Sequence, residues 1–200
     1  MAVSCTGIVL AAGSSLRMGQ PKQLLSLEGR PLLEHVVAVA CASQLDEVVV
    51  ILGADHQLIT QRVRWGRART LVNPDHASGM STSLRAGLAA LGPDVERAMV
   101  IMGDQLGVSP QLLDRLLELH AVSRRPAAAV SVGGVVQPPV VIRRDLWGEV
   151  MGVSGDVGAR GLIRARPELV ASLVLGTDAE HPVDIDTPED WRHYRSSIPT

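Results

Sequence analysis

The feature that most constrains the fold is a short apolar run that ends abruptly in a turn of small residues. Residues 7–12 read GIVLAA, and Gly13, Ser14 and Ser15 follow directly. A continuously apolar run of this length is typical of a strand that is covered on both faces of a parallel sheet. The sequence therefore predicts a buried strand that leads into a tight loop.

This loop has the composition of an anion-binding turn. Gly13 and Gly19 allow a ligand to approach the backbone closely, and free backbone N–H groups in such a turn attract phosphate oxygens. Arg17 and Lys22 add two cations at the same edge. The spacing fits neither GxGxxG nor the Walker A pattern, so an ordinary strand-to-helix turn remains the alternative.

Lys22 is the only lysine among the 19 lysine and arginine residues of the chain. An ammonium group is a compact point charge, whereas a guanidinium group is a planar fork. A single lysine beside the loop therefore favours a direct contact between Lys22 and a phosphate. The alternative is that codon bias removed every other lysine and that Lys22 has no special role.

Beyond the loop, short β-branched runs alternate with amphipathic segments. Predicted strands cover residues 47–52, 69–73 and 97–102, and predicted helices begin near residues 31, 55, 80 and 109. This alternation predicts right-handed βαβ units, and hence an α/β fold with a doubly wound, mostly parallel sheet. We expect Asp55 and Ser109 to cap the helices that follow them.

The second part of the chain is less regular. Two strand-like runs at 126–132 and 138–142 flank a glycine-rich turn and predict a small β-rich insertion. Further predicted elements are a short helix around residue 147, a helix from 155, strands at 169–175 and 183–185, and a helix from 188. Because we find no repeat and no linker, we expect a single domain over residues 1–200.

The composition excludes several classes of function. Hydrophobic residues make up 46% of the chain and the net charge is −2, which is typical of a globular protein without a basic footprint for nucleic acid. No apolar stretch reaches the length of a membrane span and no signal-peptide pattern opens the chain, so we expect a cytoplasmic protein that contacts no membrane. Cys5 and Cys41 lack metal-ligand spacing, and we expect two buried free thiols.

Polar residues follow two further predicted strands at the point where each strand ends. Asn73 and Asp104 take these positions, and ligands of open α/β sheets bind at this edge. A carboxylate near a phosphate loop suits Mg²⁺, which prefers oxygen ligands. The residues leave open whether Asp104 holds a metal or only caps a turn.

A second cluster of small and polar residues covers residues 73–84, with the sequence NPDHASGMSTSL. Gly79 leads into a helix start that carries Ser81 and Ser83, so backbone and hydroxyl donors face the same edge. The cluster fits contacts to a base or a ribose, and an ordinary strand-to-helix loop is the alternative. We interpret His76 as a polar loop residue rather than as a catalytic base.

Acidic residues also cluster near the end of the chain. We expect Asp184 and Asp186 to face different sides of a strand, so that only one joins Asp104 at a metal, and we favour Asp186. Glu189 and Asp190 are expected only to stabilise the start of the last helix. No residue set for covalent catalysis is present, whereas nucleotidyl transfer needs positioning, a metal and fixed positive charge.

Taken together, the motifs resemble those of the MobA-like nucleotidyltransferases, and within that family those of the molybdenum cofactor cytidylyltransferases. The matching stretches are VLAAGSSLRMGQPK at 9–22, GMSTSLRAGL at 79–88, GDQ at 103–105, GDVGAR at 155–160 and DIDTP at 184–188. Guanylyl-transferring relatives usually carry Ala-Gly-Gly where this chain has Ala-Ala-Gly at 11–13, which favours cytidine. The resemblance covers nearly the whole chain.

The resemblance implies a Rossmann-like nucleotidyltransferase fold and an Mg²⁺-dependent transfer of CMP from CTP to the phosphate of molybdopterin, with release of pyrophosphate. The implied nucleotide-binding residues are Leu10, Ala11, Ala12, Gly13, Ser14, Ser15, Lys22, Asn73, Gly79 and Ser83. Arg17, Lys22 and Asp104 would be catalytic, and Asp104 and Asp186 would bind the metal. Asp156 and Arg160 would lie on the acceptor side.

Three departures from the family pattern fall mostly on the acceptor or base side. They are Leu106 in place of a proline, His76 in place of an aromatic residue, and VQP at 136–138 in place of Gly-His-Pro. CTP is therefore better supported than molybdopterin. The alternatives are nucleotidyl transfer to another phosphorylated metabolite and a binding protein that delivers the finished cofactor to a molybdoenzyme without turnover. A redox role is a further alternative, although we find no flavin or nicotinamide signature.

Overall fold

The computed structural model describes residues 4–15, 18–152, 166–176 and 181–197. Its strands are β1 (Cys5–Ala11), β2 (Ser26–Leu27), β3 (Arg30–Pro31), β4 (Glu47–Leu52), β5 (Arg69–Val72), β6 (Arg97–Met102), β7 (Gln105–Leu106), β8 (Ala127–Val132), β9 (Val135–Arg143), β10 (Val170–Leu175) and β11 (Val183–Asp184). Its helices are α1 (Leu32–Ala42), α2 (His56–Arg62), α3 (Met80–Ala89), α4 (Pro110–Ser123), α5 (Trp147–Gly152) and α6 (Pro188–Ser197). Short 3₁₀ turns cover Lys22–Leu24, His76–Ser78, Arg144–Leu146 and Pro167–Leu169.

A seven-stranded sheet in the order β10-β8-β9-β6-β1-β4-β5 is the centre of the fold. The pairs β1–β4, β1–β6, β4–β5 and β8–β10 are parallel, and among the described strands of this sheet only β9 runs antiparallel to its neighbours, β6 and β8. The predicted mostly parallel α/β sheet is therefore confirmed. The small pairs β2–β3 and β7–β11 lie outside this sheet.

Both faces of the sheet are covered, which explains why its central strands are mostly apolar. Along β1, Val9 packs into a cluster with residues of α1 and α4, while Ile8 packs into a second cluster with residues of α3 and α5. Successive side chains of a strand point to opposite faces, so each strand contributes to both clusters. Both Val9 and Ile8 are fully buried.

The predicted β-rich insertion is a hairpin that lies inside the central sheet. Gly133 and Gly134, both with positive φ, join β8 to β9, as expected for a two-residue hairpin turn. Pro138 and Pro139 occupy a bulge, because Ala129 pairs with Val140 and the next residue of β8 pairs with Gln137. The bulge accommodates two prolines in an interior strand, since neither needs to donate to the ladder there.

Element boundaries differ from the sequence-based expectation at a few positions. Ser109 caps α4 as predicted, because its side chain accepts a hydrogen bond from the backbone N–H of Leu112. The prediction for Asp55 is wrong: its backbone is left-handed with φ 55° and its side chain makes no cap bond, and α2 ends at Arg62. The predicted helix from residue 155 lies outside the described residues, and the single domain over 1–200 stays a prediction.

The remaining general expectations concern thiols and membranes. Cys5 and Cys41 are free thiols; Cys5 is buried as expected, whereas the expectation of burial is wrong for Cys41, which is partly exposed. No helix within the described ranges combines the length and the apolar character that crossing a membrane requires.

Candidate functional site

A cleft of about 720 Å³ opens at the carboxyl ends of β1 and β6. It is lined by most residues that the sequence predicted for the site, namely Leu10, Ala11, Ala12, Gly13, Ser14, Ser15, Lys22, Gly79, Ser83, Asp104 and Asp186. Asn73 does not line the cleft, and the predicted Arg17, Asp156 and Arg160 lie outside the described residues. The structure thus brings residues from four distant parts of the sequence to one edge of the sheet.

The loop after β1 is fixed by Gln23, a residue that the sequence analysis did not single out. Its side chain is only 2% exposed, and Nε2 donates hydrogen bonds to the carbonyl oxygens of Ala11 (3.1 Å) and Gly13 (2.9 Å). Oε1 accepts from Ser15 Oγ at 3.2 Å, and Ser15 Oγ in turn accepts from the Lys22 backbone N–H at 3.0 Å. The amide therefore ties both ends of the loop together.

The position of Gln23 also determines how the loop presents its backbone. In a trans peptide the C=O and N–H groups point in opposite directions. Because Gln23 holds the carbonyl oxygens of Ala11 and Gly13, the N–H groups of Ala12 and Ser14 point away from Gln23. The sequence offered one signal for the role of Gln23, namely its position as a polar residue directly before the apolar pair at 24–25.

A glycine at the end of β6 brings Asp104 next to this loop. A Cβ on Gly103 would lie 2.8 Å from both Ala11 Cβ and the Leu10 carbonyl oxygen, so only glycine allows this approach. The backbone N–H of Gly103 donates to that same oxygen at 2.8 Å. Asp104 is the next residue, and its carboxylate therefore reaches the cleft beside the loop.

Lys22 lies between two carboxylates in this cleft. Its Nζ donates hydrogen bonds to Asp104 Oδ2 and, at 2.9 Å, to Asp186 Oδ1. The side chains of Lys22 and Asp104 are only 14% and 13% exposed, whereas that of Asp186 is 42% exposed. The lone lysine and the two predicted metal ligands thus form one cluster.

The expectation that only one of the two late aspartates faces the site is wrong, because Asp184 and Asp186 both line the cleft. Residues two apart on an extended backbone point to the same side. Ile185 between them is fully buried, and its backbone N–H donates to the Asp104 carbonyl oxygen at 3.0 Å. Asp184 Oδ1 accepts a 2.9 Å hydrogen bond from Gln105 Nε2, which holds this carboxylate beside Asp104.

Burial and charge act in opposite directions on the two central groups. Burial lowers the pKa of Lys22, but the charges and hydrogen bonds of Asp104 and Asp186 outweigh it, so this pKa lies above its ordinary value. Burial raises the pKa of Asp104, the Lys22 ammonium opposes the rise, and the charges of Asp184 and Asp186 reinforce it, so this pKa is raised too. Lys22 therefore stays charged at neutral pH, and an additional cation would be favoured at Asp104.

Asp104 also has an unused ligand atom. Its Oδ1 is buried and has no hydrogen-bond partner within the described ranges. An unpaired buried carboxylate oxygen is costly, and a cation would satisfy it. No group of three or more His, Cys, Asp or Glu side chains among the described residues could hold a metal ion by itself. Two carboxylates suit Mg²⁺, which commonly completes its shell with water and substrate phosphates.

The opposite wall of the cleft is formed by the loop before α3. Asn73 lies beneath this loop: its amide donates to Thr82 Oγ1 (2.8 Å) and Ser83 Oγ (3.0 Å), and its Oδ1 accepts from the Asp75 backbone N–H (3.0 Å). The structure therefore places Asn73 as a support for the loop rather than in the cleft. His76, which does line the cleft, lies close to Gly53, the residue that follows β4.

The fold and the residues at this edge of the sheet define the chain as an α/β nucleotidyltransferase. Residues 7–170 match the MobA-like NTP transferase domain, and the chain belongs to that family. The family resemblance and the fold class that the sequence predicted are thereby confirmed.

Similar proteins carry several different names. The nicotine blue oxidoreductase of Paenarthrobacter nicotinovorans is 37% identical over 193 residues, which cover 92% of this chain and 93% of that protein. The purine catabolism protein PucB of Bacillus subtilis strain 168 is 29% identical over 96% of each chain. The crystal structure of Rv0371c from Mycobacterium tuberculosis H37Rv has a TM-score of 0.86 and 28% identity, over 98% of this chain and 100% of that chain. Its complex with manganese has a TM-score of 0.84 and 27% identity over the same shares.

Proposed function

We propose that this protein transfers CMP from CTP to the phosphate of molybdopterin, or of the molybdenum cofactor, with release of pyrophosphate and with the help of Mg²⁺. The observation that supports this proposal is the meeting of the loop, Lys22, Asp104 and Asp186 in a single cleft. Cytoplasmic location and delivery of the product to a molybdoenzyme are further parts of the proposal.

The β- and γ-phosphates of CTP would bind at the loop. We assign the backbone N–H groups of Ala12 and Ser14, which point away from Gln23, as hydrogen-bond donors to phosphate oxygens. Lys22 and Arg17 would add positive charge to the same oxygens. As pyrophosphate forms, these donors stabilise the negative charge that develops on it without having to reorient.

Asp104 and Asp186 would hold the metal ion. The unpartnered Oδ1 of Asp104 and the convergence of the two carboxylates on one cation are the features that fit such an ion. When bound, Mg²⁺ would neutralise charge on the triphosphate and align its α-phosphorus for attack. The manganese complex of Rv0371c supports a divalent ion in a related protein.

The reaction requires little covalent chemistry from the protein. An oxygen of the acceptor phosphate attacks the α-phosphorus of CTP, a new P–O bond forms, and the bond to the bridging oxygen of pyrophosphate breaks. The acceptor oxygen is already an anion, so no general base is required. The protein contributes positioning and fixed charge, which the Lys22 cluster and the loop can supply.

The two ends of the cleft suit the remaining parts of the substrates. His76, Gly79 and Ser83 line the wall where we place the base and the ribose. The wall formed by β6 and β9 carries Met102 and Val140, an apolar surface suited to a flat heterocycle such as a pterin. Asp156 and Arg160 remain proposed acceptor contacts.

A redox function is the second candidate, because of the 37% identity with a protein named nicotine blue oxidoreductase. The two functions differ in their products: only nucleotidyl transfer releases pyrophosphate from CTP. The same measurement separates transfer from cofactor delivery without turnover, and a panel of phosphorylated acceptors separates molybdopterin from other metabolites.

The test is pyrophosphate release from labelled CTP or GTP with Mg²⁺, with and without purified molybdopterin. We expect release from CTP only when molybdopterin is present. The variant Asp104→Asn should lower the rate at least about 100-fold while circular dichroism shows an intact fold. Asp94→Asn is the matched control, because Asp94 is exposed and precedes β6 at the opposite edge of the sheet. Tight CTP binding without release from any acceptor would refute the proposed transferase activity.

A further inference from the structure

The ammonium group of Lys22 occupies the place between the two carboxylates that a metal ion would also need. Nζ contacts Asp104 Oδ2 directly and lies 2.9 Å from Asp186 Oδ1. An Mg²⁺ ion bound by both carboxylates would lie about 2.0–2.1 Å from each ligand oxygen. Even an ion that uses the unpartnered Oδ1 of Asp104 would lie within a few ångströms of Nζ, so the ammonium and the ion compete for the same pair of carboxylates.

Charge makes this competition stronger. A divalent ion within a few ångströms of an ammonium group is repelled by it, and partial burial of Lys22 and Asp104 reduces the screening by water. The repulsion disappears only when Lys22 moves away or when further negative charge enters the cleft. A bound triphosphate can do both, because its oxygens attract the ammonium and also coordinate the ion.

The backbone around Lys22 allows this movement. Its backbone N–H is tied to Ser15 Oγ at 3.0 Å, and the neighbouring Gln23 is fixed by its bonds to the loop. The four-carbon side chain can rotate from this fixed point, whereas the loop remains in place. The structure therefore gives the Lys22 side chain a backbone anchor held by hydrogen bonds, from which its ammonium can reach either the carboxylates or the loop.

We propose that Lys22 is an internal counter-ion that holds Asp104 and Asp186 together until a nucleotide arrives. The phosphates then draw the ammonium onto the loop side, and the divalent ion takes its place between the carboxylates. This inference rests on the proposed function, since it assumes that the two carboxylates bind the metal. It makes nucleotide and metal binding mutually dependent, and each must increase the affinity of the other by the same factor.

The first test measures Mn²⁺ binding without nucleotide, by the electron paramagnetic resonance signal of the free ion. Lys22→Met and Lys22→Gln remove the internal cation, and we expect both to bind Mn²⁺ at least about tenfold more tightly than wild type. Arg115→Gln is the matched control, since Arg115 is exposed on α4 and the same unit of charge is lost there. Affinities of both Lys22 variants that equal or fall below that of the wild type would overturn the proposal.

The second test uses the wild-type chain and the fact that it has a single lysine. Protein labelled with ¹³C-lysine gives one lysine side-chain signal in an NMR spectrum. We expect a non-hydrolysable CTP analogue to shift this signal, and millimolar Mg²⁺ alone to leave it unchanged. A saturating shift with Mg²⁺ alone would show that the metal displaces Lys22 unaided, and would reject the proposal. These titrations require no turnover, so their outcome is separate from that of the pyrophosphate assay.

Discussion

The role of Gln23 gives the sharpest prediction, because one buried side chain bonds to Ala11, Gly13 and Ser15 at the start of the loop after β1. The substitution Gln23→Met keeps the length of the side chain and removes its hydrogen-bonding groups. The carbonyl oxygens of Ala11 and Gly13 then lose their donor, and Ser15 Oγ loses its acceptor. Because glutamine and methionine are both uncharged, the result reports on the loss of these three hydrogen bonds.

The size of the effect follows from the number of bonds. A typical hydrogen bond contributes about 1 kcal/mol net to the free energy of unfolding, so three lost bonds correspond to about 3 kcal/mol. For a domain of this size, each kcal/mol lowers the melting temperature by about 2–4 °C, and we expect a decrease of about 6–12 °C. The affinity for a CTP analogue should also fall about tenfold, because the loop N–H groups are no longer preorganised.

Thermal unfolding and calorimetric titration with the CTP analogue measure the two effects separately. Gln111→Met is the matched control, because Gln111 is exposed on α4 and undergoes the same chemical change. If Gln23→Met unfolds within about 2 °C of this control and binds the analogue equally well, the three contacts do not hold the loop and our reasoning about Gln23 is refuted.

Three further predictions concern groups away from the cleft. Burial lowers the pKa of His120 below its usual 6.5, so at acid pH the unfolded chain binds a proton that the folded chain does not. The contribution of neutral His120 to the free energy of unfolding is therefore fully present above about pH 6.5 and is lost as the pH falls. In urea titrations between pH 5 and 8, His120→Leu should flatten this dependence, and an unchanged slope would contradict the assignment. Burial raises the pKa of the Cys5 thiol to about 12, so a thiol reagent at pH 8 should modify Cys5 only in denaturant, and rapid labelling in the folded state would refute this. The Arg67 guanidinium donates hydrogen bonds to the carbonyl oxygens of Cys41, Leu45 and Asp46. Because an ammonium cannot reach all three, Arg67→Lys should lower the free energy of unfolding by about 1–2 kcal/mol. An unchanged urea midpoint would argue against this prediction.

The sequence predicts the parallel part of the fold well, because its signals are local. The runs at 47–52 and 97–102 coincide with β4 and β6, since each is bounded by residues that end a strand. The interior position of β9 in the sheet could not be predicted from such local signals. Its two prolines indicate an edge strand or no strand, and only the bulge opposite Ala129 and Val130 allows it to lie between β6 and β8.

For the candidate site, the sequence identified most residues that line the cleft but not how they are held. Lys22 and Asp104 were expected to lie at one edge, and they are in direct contact. The support from Gln23 was missed, because its bonds depend on how the loop folds back over 8 to 12 residues. That Asp184 and Asp186 share a side follows from the two-residue period of an extended chain, whereas the pairing of β11 with β7, which turns this side toward the cleft, is a long-range contact that no local pattern encodes.

The two prolines of β9 affect more than the strand that contains them. Pro138 lines the cleft, and neither Pro138 nor Pro139 has a backbone N–H to offer. The donors that we assign to phosphate therefore lie on the loop side, while the β9 side presents carbon-rich surface. An elongated molecule with one charged end and one flat end would bind productively in one direction only, with its charged end at the loop and its flat end at β9.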